Sequence, residues 1–513
     1  MVSTPMTSQD ALWLTMDRPN NLMVIDTVMW FRTVPDWSEV EKVIATRLVD
    51  QFPVFRSRAV KKGTGWVWEE VPDFSLQDQI HRVTLDDPGD FKVLRQFVAS
   101  QRSVAFTKSR PVWSLYFIEN VHFEDGSVGA AVLARFHHAI ADGIRLTQAV
   151  MGLCDLDPSD VTAVGRPFTH PSTPVQVVAS VAKETLSDLA DFGTATVRRV
   201  GGVASSARDV VVRAVTGDPV EAASSVVDDS KSIFAIGTQA LRFPERLMDV
   251  NQLVSSSDNR VANDATIPGK YLLSGTSVKT VWSGTPQRHK DADWAPIIEL
   301  DDVKAIGRAT GTTVNDVMIS AVAIGLTRYL NENGDDRTDE LIWMVPVSIQ
   351  PVEPGVPKEL GNHFALVVLR MPIGITDFAE CLANMHERME RIKSSDEALV
   401  TFGLQRGIAN APSPLAVGLT NYFANKAVGV LTNVPGPRAP MTLAGTLVDG
   451  VLGWAPCSGD QPMTICIFSY NGKVTVGFGA DKTLVPDLNR LSELFYEGFN
   501  DMYAEIVEGA PSD

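Results

Sequence analysis

Cysteine is scarce in this sequence. Only four of the 513 residues are cysteines, namely Cys154, Cys381, Cys457 and Cys466, and they are far apart, without a C-x-x-C pair or nearby histidine ligands. This spacing suggests neither a disulfide framework nor a zinc site. We therefore expect reduced thiols in a cytoplasmic protein that holds no metal ion.

Basic residues are too few to balance the acidic ones. The chain has 45 Lys and Arg against 62 Asp and Glu, which gives a net charge of -17. Nucleic-acid affinity depends on clustered Lys and Arg, so this composition argues against a nucleic-acid partner. The same charge would repel an anionic bilayer at long range, so any membrane contact requires apolar insertion or a local basic face.

Long apolar runs are also missing. No stretch of 18 or more residues is free of polar interruption, and residues 1–10 lack the basic and apolar regions of a secretory signal. We expect neither a cleaved signal nor a membrane-spanning helix. What the sequence does have is an ordinary globular composition, 44% hydrophobic and 21% charged, on a chain long enough for more than one hydrophobic core.

Residues 1–165 mix two kinds of apolar pattern. Runs rich in β-branched and aromatic residues at 23–31, 112–120 and 128–136 predict strands. Between them, residues 37–50 and 90–100 place apolar side chains three and four apart, which predicts helices that cover a sheet. The combination predicts an α/β sandwich lobe.

Residues 166–285 differ in composition, because aromatic residues become rare and Ala, Val and Ser more frequent. Apolar side chains between residues 178 and 214 fall on one side of a helical wheel, so we predict a helical linker or insert. Its apolar stripe would either pack on the protein's own lobes or dock on a lipid surface.

From residue 286 to 513 the alternation of strands and helices returns. Residues 314–330 predict a largely apolar helix, and residues 341–347 and 366–371 predict strands. Asn471-Gly472 lies between two further strand-like runs, which indicates a hairpin, because this dipeptide tolerates the positive φ angles of a type I′ turn. We predict a second α/β lobe here.

The strongest chemical motif is His137-His138-Ala139-Ile140-Ala141-Asp142-Gly143. It lies between the predicted strand 128–136 and a predicted helix 144–153, in a loop position that often carries active-site residues. A neutral histidine could take a proton from a hydroxyl group and later return it to a leaving group.

The neighbours of the histidines have their own interpretations. Asp142 would lie at the N-terminus of the following helix, where a carboxylate caps free N–H groups, or it could pair with an arginine. Gly143 would allow a close backbone approach or unusual dihedral angles. One histidine could equally be a buried structural residue, and metal binding is a further alternative.

Adjacent side chains on extended backbone point in opposite directions, so one imidazole is expected in the reaction channel and the other braced in the protein.

Three other segments have a structural and a functional interpretation. Asn315-Asp316 could begin a helix as a cap or face a substrate channel. Trp113 could line an acyl tunnel or pack in the core. Residues 433–437, with Pro-Gly-Pro, indicate a turn after a strand-like run at 427–431.

The histidine motif resembles the HHxxxDG signature of the CoA-dependent acyltransferase superfamily. Further segments resemble, in order along the chain, the wax ester synthase/diacylglycerol acyltransferase family. They are MTSQDALWL at 6–14, PVW at 111–113, VNDV at 314–317, GN at 361–362, NVPGP at 433–437 and AD-x3-VPDL at 480–488.

This resemblance implies two chloramphenicol-acetyltransferase-like α/β sandwich lobes around a channel. It further implies a long-chain acyl group transferred from acyl-CoA to diacylglycerol or to a long-chain alcohol. By the same resemblance His138 is the general base, and His137 and Asp142 hold it in place. Acyl-CoA is then a substrate, no cofactor is expected, and the protein would be cytoplasmic or peripheral on the plasma membrane's inner face or on lipid droplets.

The chain departs from the family pattern twice. Val112 stands where the family usually has Leu, which hardly changes the chemistry of a pocket. The segment 166–285 is longer than usual, which could change membrane contact or acceptor access.

No Gly-x-Ser-x-Gly elbow with a usable triad and no phosphate-binding Gly-x4-Gly-Lys-Ser/Thr motif occurs, so direct transfer in a ternary complex is the simplest mechanism. Asn315 is a candidate for stabilising the oxyanion. Two alternatives stay open, namely a condensation-type enzyme that uses a carrier-protein thioester and a non-catalytic lipid-surface protein.

Overall fold

The N-terminal part of the chain alternates β-strands with helices. The computed structural model describes residues 3–63, 65–155, 278–348, 357, 359–393, 401–402, 405, 407–410 and 413–509. The strands of the N-terminal part are β1 (Ser3–Pro5), β2 (Val24–Phe31), β3 (Ser57–Lys62), β4 (Gly65–Glu70), β5 (Ile80–Thr84), β6 (Trp113–His122) and β7 (Val128–His137). The helices of this part are α1 (Ser8–Met16), α2 (Trp37–Ile44), α3 (Phe91–Arg102) and α4 (Gly143–Met151).

The second lobe follows the same principle with longer helices. Its strands are β8 (Lys290–Trp294), β9 (Ile298–Glu299), β10 (Glu340–Ser348), β11 (Phe364–Pro372), β12 (Gly429–Pro435), β13 (Thr442–Leu443), β14 (Thr446–Leu447), β15 (Gly450–Trp454), β16 (Met463–Tyr470) and β17 (Lys473–Asp481). Its helices are α5 (Leu300–Thr310), α6 (Val314–Glu332), α7 (Phe378–Lys393), α8 (Ser413–Ala424) and α9 (Leu488–Tyr503).

Two main sheets organise these elements. The first has the order β15-β2-β7-β6-β5, and the second has the order β11-β10-β12-β16-β17-β8, with β9 also pairing with β17. The first sheet lies in one hydrophobic core, and helix α6 is largely buried in a second. The second sheet contributes to both, since Trp294 of β8 and Phe468 of β16 belong to the first core. The predicted two-lobed α/β sandwich is confirmed.

Strand β15 crosses from one lobe to the other. It comes from the C-terminal part of the chain but pairs antiparallel with β2, with Val451 opposite Met29. Trp454 at its end packs 5.9 Å from Trp294 of β8, measured between ring centroids. The region predicted as the second lobe, residues 286–513, therefore supplies one strand to the first sheet and joins the two cores.

The elements predicted from apolar periodicity are confirmed with small changes at their ends. The helix predicted for 37–50 is α-helical to Ile44 and continues as a π-helical turn, Ala45–Val49. The hairpin is present, and Asn471 and Gly472 have φ angles of 49° and 75°. One expectation was wrong: residues 433–435 form the end of β12, because this strand pairs in parallel with β16 up to Pro435 and Ser469.

The middle segment is described only at its end. Of the predicted helical linker at 166–285, residues 166–277 lie outside the described residues. Residues 278–285 form a loop, and Trp282 in this loop is buried in the second core. In the described part of the chain no single helix is long and apolar enough to cross a membrane; only the bent pair of α5 and α6 meets that criterion together.

Candidate active site

The histidine motif lies where the first sheet meets the second lobe. His137 ends β7, and Gly143 begins α4. Asp142 is the N-cap of α4, and its carboxylate accepts a hydrogen bond from the backbone N–H of Arg145 at 2.8 Å. The capping role predicted for Asp142 is therefore confirmed.

Asp142 also joins the two lobes. Its other carboxylate oxygen accepts the backbone N–H of His363 at 2.7 Å, and its own N–H donates to the carbonyl of Gly361 at 3.0 Å. The side chain is 3% exposed. Burial raises the pKa of Asp142, while the two backbone donors oppose this shift. Asp142 thus fixes the loop against residues 361–363.

His138 lies in an aromatic environment. Its ring centroid is 4.3 Å from that of Trp13 in α1 and 5.5 Å from that of Phe364 in β11. Its backbone N–H donates to the carbonyl of Met23, and its carbonyl accepts from the side-chain amide of Asn362 at 3.0 Å. The backbone of His138 is therefore held from both lobes.

This environment changes the acidity of the imidazole. Burial lowers the pKa of His138 to about 4, and the charge of His137 adds to the effect, while the carbonyl of His138 itself and Asn362 oppose it. At neutral pH the ring is therefore unprotonated. A neutral imidazole can accept a proton, which is what a general base must do.

The environment of His137 differs from that of His138. Its Nδ1 accepts the backbone N–H of Ala139 at 3.1 Å, and its Nε2 lies 3.8 Å from an oxygen of Asp17. Asp17 in turn accepts the N–H of Met23 at 3.0 Å. His137 thus faces protein groups within the first lobe and His138 faces the aromatic cluster between the lobes, as expected for neighbours at the end of a strand.

A large apolar cavity is lined by Trp13, the residue whose ring contacts His138. It contains about 770 Å³ of space not filled by protein atoms, part of it open to solvent, and lies between α1, α8 and the second sheet. Trp13 belongs both to its wall and to the aromatic cluster around His138. The lining residues are all uncharged and include Leu12, Leu366, Phe423 and Val430. Such a cavity suits a long apolar substrate chain whose reactive end lies near the imidazole.

The positions of Trp113 and Gly143 do not agree with the functional roles predicted for them. Trp113 is 1% exposed in the first core, and its indole N–H donates to the carbonyl of Phe55 at 2.7 Å. It does not belong to the wall of the apolar cavity. Gly143 has no protein atom within 4 Å of the position of a Cβ and no positive φ angle, so neither close packing nor unusual dihedral angles require glycine there.

Asn315 and Asp316 are at the start of α6. Asp316 forms a capping box with Thr313 and also contacts His386 Nδ1 at 2.7 Å, which agrees with the interpretation as a helix cap. Asn315 Oδ1 accepts the side-chain amide of Asn433 at 2.6 Å. Two of the sequence motifs therefore meet here, although they are 118 residues apart. The oxyanion role of Asn315 stays a prediction.

The sequence did not reveal the supporting role of Asp10 and Asn362. The amide of Asn362 donates to the carboxylate of Asp10 at 2.8 Å as well as to His138. Both residues belong to segments that resemble the family, but only the folded chain shows that they meet. No group of three or more His, Cys, Asp or Glu side chains in the described ranges could hold a metal ion.

Comparison with known protein families gives two matches that follow each other along the chain. The family model described as the wax ester synthase/diacylglycerol acyltransferase catalytic domain matches residues 6–246, and the one described as the WS/DGAT C-terminal domain matches residues 360–503. A protein of Mycobacterium tuberculosis (strain ATCC 25618 / H37Rv), named "Probable diacylglycerol O-acyltransferase", is 25% identical over 446 residues, covering 86% of this chain and 81% of the relative.

Solved structures agree in fold. The wax ester synthase/diacylglycerol acyltransferase from Marinobacter aquaeolei VT8 superposes with a TM-score of 0.62 at 17% identity, over 99% of this chain and 100% of that one. The first condensation domain of the calcium-dependent antibiotic synthetase has a TM-score of 0.52 at 14% identity, over 99% and 98% of the two chains.

Proposed function

This chain belongs to the wax ester synthase/diacylglycerol acyltransferase family and is an acyltransferase, and from that premise we propose that it acylates a lipid hydroxyl with His138 as the general base. The donor is a long-chain acyl-CoA. The acceptor is diacylglycerol, which yields triacylglycerol, and a long-chain alcohol is a second acceptor, which yields a wax ester.

The observation that carries the proposal is the neutral, buried imidazole of His138 in contact with Trp13, which lines an uncharged cavity. A hydroxyl group is a weak nucleophile until its proton is removed. His138 takes this proton as the oxygen attacks the thioester carbonyl. The tetrahedral intermediate then collapses, the C–S bond breaks, and the proton on His138 passes to the departing thiolate of CoA. The thioester supplies the activated acyl group, so the reaction needs no cofactor.

The surrounding residues keep the base in place. Asn362 and Met23 hold the backbone of His138, while Trp13 and Phe364 enclose its ring. Asp142 keeps the motif loop against the second lobe. Because both lobes contribute, the productive position of the imidazole depends on how the lobes are docked.

A water-insoluble acceptor has consequences for location. The lipid must reach the cavity from a membrane or a lipid droplet, so we infer a cytoplasmic protein that contacts such a surface peripherally. This inference rests on the apolar character of the cavity and of the acceptor.

The test uses the purified full-length protein with palmitoyl-CoA and, separately, diacylglycerol or hexadecanol. Release of CoA and formation of the ester are measured for the native protein and for His138→Ala. We expect a loss of rate of on the order of 10²-fold or more, the usual contribution of a positioned acid–base group. His81→Ala, at an exposed position of the first lobe, is the matched control and should keep its activity.

A soluble, folded His138→Ala protein with near-native turnover would contradict the role of His138. Absence of turnover with both acceptors in the native protein would contradict the proposed reaction. Turnover only with an acyl group on a carrier protein would instead favour the condensation-type alternative.

A further inference from the structure

A second cavity between the lobes is polar and charged. It contains about 380 Å³ of space not filled by protein atoms, part of it open to solvent, and its wall includes Asp26 and Arg102 of the first lobe and Lys290, Cys457 and Gly479 of the second. We call it the polar cavity. None of its residues carries a role in the acyl transfer described above.

Its charged side chains are almost completely buried. Asp26 forms ion pairs with two arginines. One of its oxygens accepts from Arg102 Nη1 and the other from Arg135 Nε, each at 3.0 Å. The side chains of Asp26, Arg102 and Arg135 are 3%, 9% and 1% exposed. One carboxylate therefore serves two guanidinium groups.

The second carboxylate of this cluster, Asp481, accepts four hydrogen bonds. Asp481 accepts from Lys290 Nζ at 2.9 Å and from the backbone N–H groups of Gln287, Thr483 and Leu484. Burial lowers the pKa of Lys290, and the nearby charge of Arg102 adds to this shift, while Asp481 opposes it. The two cations of the wall thus repel each other across the cavity.

The charges of this cluster do not balance. Arg102, Arg135 and Lys290 carry three positive charges, and Asp26 and Asp481 carry two negative ones. A buried charge without a counterion is costly, because the protein interior solvates it poorly. The excess of one positive charge therefore favours an anion in the adjoining space. Cys457 does not supply one, because burial raises the pKa of its thiol to about 11.

Arg102, which lines the polar cavity, also has an unused donor. The Nε–H of Arg102 is buried and has no hydrogen-bond partner in the described part of the chain. Next to it, a Cβ on Gly479 would lie 2.9 Å from Arg102 Nη2, so a larger side chain here would cover this side of the guanidinium. A guanidinium with an unused N–H is suited to the oxygens of a phosphate group.

One hydrogen bond connects the wall of the polar cavity to the reactive histidine. Leu22 and Val24 belong to this wall, and Met23 between them accepts the backbone N–H of His138 at 2.8 Å. The segment from residue 456 to 462 contributes to both cavities, since Cys457 and Pro462 line the polar one and Ser458 and Gln461 line the apolar one.

We propose that the polar cavity binds a phosphate group through Arg102 and Lys290. A phosphate of the CoA donor and free inorganic phosphate share this chemistry, and only the first of these sources rests on the proposed function. Bound there, the anion compensates the excess positive charge of the cluster.

The test measures binding rather than turnover. Isothermal titration with the full-length protein compares CoA, phosphate-free pantetheine and inorganic phosphate at constant ionic strength. Lys290→Met removes one cation and leaves Asp481 with three backbone donors. We expect it to weaken CoA binding about tenfold and to leave pantetheine binding unchanged. Lys304→Met, a half-exposed lysine on α5, is the control for the change in net charge.

Arg102→Gln is the second variant, since Asp26 keeps Arg135 as its partner. If both variants bind CoA more weakly, the polar cavity binds a phosphate group of CoA. If they bind only inorganic phosphate more weakly, the polar cavity is an anion site for free phosphate. If folded Lys290→Met and Arg102→Gln bind CoA and phosphate as well as Lys304→Met does, the proposal is overturned. The assay of His138→Ala decides the proposed function separately, because it does not involve these residues.

Discussion

The side-chain amide of Asn362 donates a hydrogen bond to the backbone carbonyl of His138, at 3.0 Å. The same amide donates to the carboxylate of Asp10 at 2.8 Å. Residues from the beginning, the middle and the later part of the chain therefore meet at the proposed base. The position of the imidazole depends on this junction between the lobes.

Asn362→Ala tests this junction. Removing the amide leaves the carbonyl of His138 and the buried carboxylate of Asp10 without this partner, so we expect a loss of stability of about 1–3 kcal/mol. We also expect kcat to fall by about 10- to 100-fold with a smaller change in KM, since a small displacement of a reacting group is enough for that. Steady-state kinetics and urea unfolding measure both effects.

The double variant Asp10→Asn with Asn362→Asp separates position from stability. An amide at position 10 can donate to a carboxylate at 362, so the inter-lobe hydrogen bond returns. No donor then faces the carbonyl of His138. Recovered stability with kcat still low supports the positioning role, whereas recovery of both quantities together would show that Asn362 acts only through stability.

The pH dependence of catalysis follows from the lowered pKa of His138. A base with a pKa of about 4 is about nine-tenths neutral at pH 5, whereas an ordinary histidine would be only a few per cent neutral there. We therefore expect kcat/KM to stay nearly constant from pH 7 to pH 5 and to fall near pH 4. An acidic limb near pH 6.5 would argue against this prediction. An acyl-pantetheine donor is the control, because the phosphate of CoA also titrates near pH 6.

The lowered pKa of His138 should also make the stability of the protein depend on pH. The folded state holds His138 neutral down to about pH 4, while the unfolded chain protonates it near pH 6.5. The unfolded state thus binds more protons in this window, so the free energy of unfolding falls as the pH falls from 6.5 to 4, by about 3 kcal/mol in total. His138→Gln should lose this part of the slope in urea unfolding, and an unchanged slope would contradict the lowered pKa.

Asp142→Asn tests the carboxylate that both caps α4 and contacts the second lobe. Its two oxygens accept from different N–H groups, those of Arg145 and His363. An amide can accept only one of them, so we expect a loss of about 1–2 kcal/mol of stability. Thermal unfolding measures this loss.

Asp36→Asn is the matched control for Asp142→Asn. Asp36 also caps a helix, but its contacts to Ser38 and Glu39 use one oxygen, which an asparagine retains. The stability of the Asp36→Asn protein should hardly change. Equal effects at both positions would mean that the contact of Asp142 with His363 contributes nothing.

Val430→Phe tests the apolar cavity. Val430 is on β12 and belongs to the cavity wall, so a larger ring there shortens the space for a chain. We expect kcat/KM for palmitoyl substrates to fall about tenfold relative to octanoyl substrates, on the donor or on the acceptor side. Val34→Phe, at a position that is 46% exposed, is the control. Unchanged chain-length ratios on both sides would show that neither chain enters this cavity.

Local features of the chain were determined by the sequence itself. The strand, loop and helix around the histidines follow from apolar periodicity, and Asp142 caps α4 because a carboxylate satisfies free N–H groups within one turn. The turn at Asn471-Gly472 likewise depends on two adjacent residues that tolerate positive φ angles. Each of these depends on interactions between near neighbours in the chain.

The tertiary structure alone decided which residues share the site. Asn362 and His138 are 224 residues apart, and Asn362 and Asp10 are 352 apart, so no local pattern signals their contact. Trp113 and Trp13 are both large aromatic residues in family-like segments, yet one lies in a core and the other beside the base. The difference between these two tryptophans results from the packing of the whole chain. The lowered pKa of His138 and the excess charge of the polar cavity likewise result from burial in the folded protein, which no single segment determines.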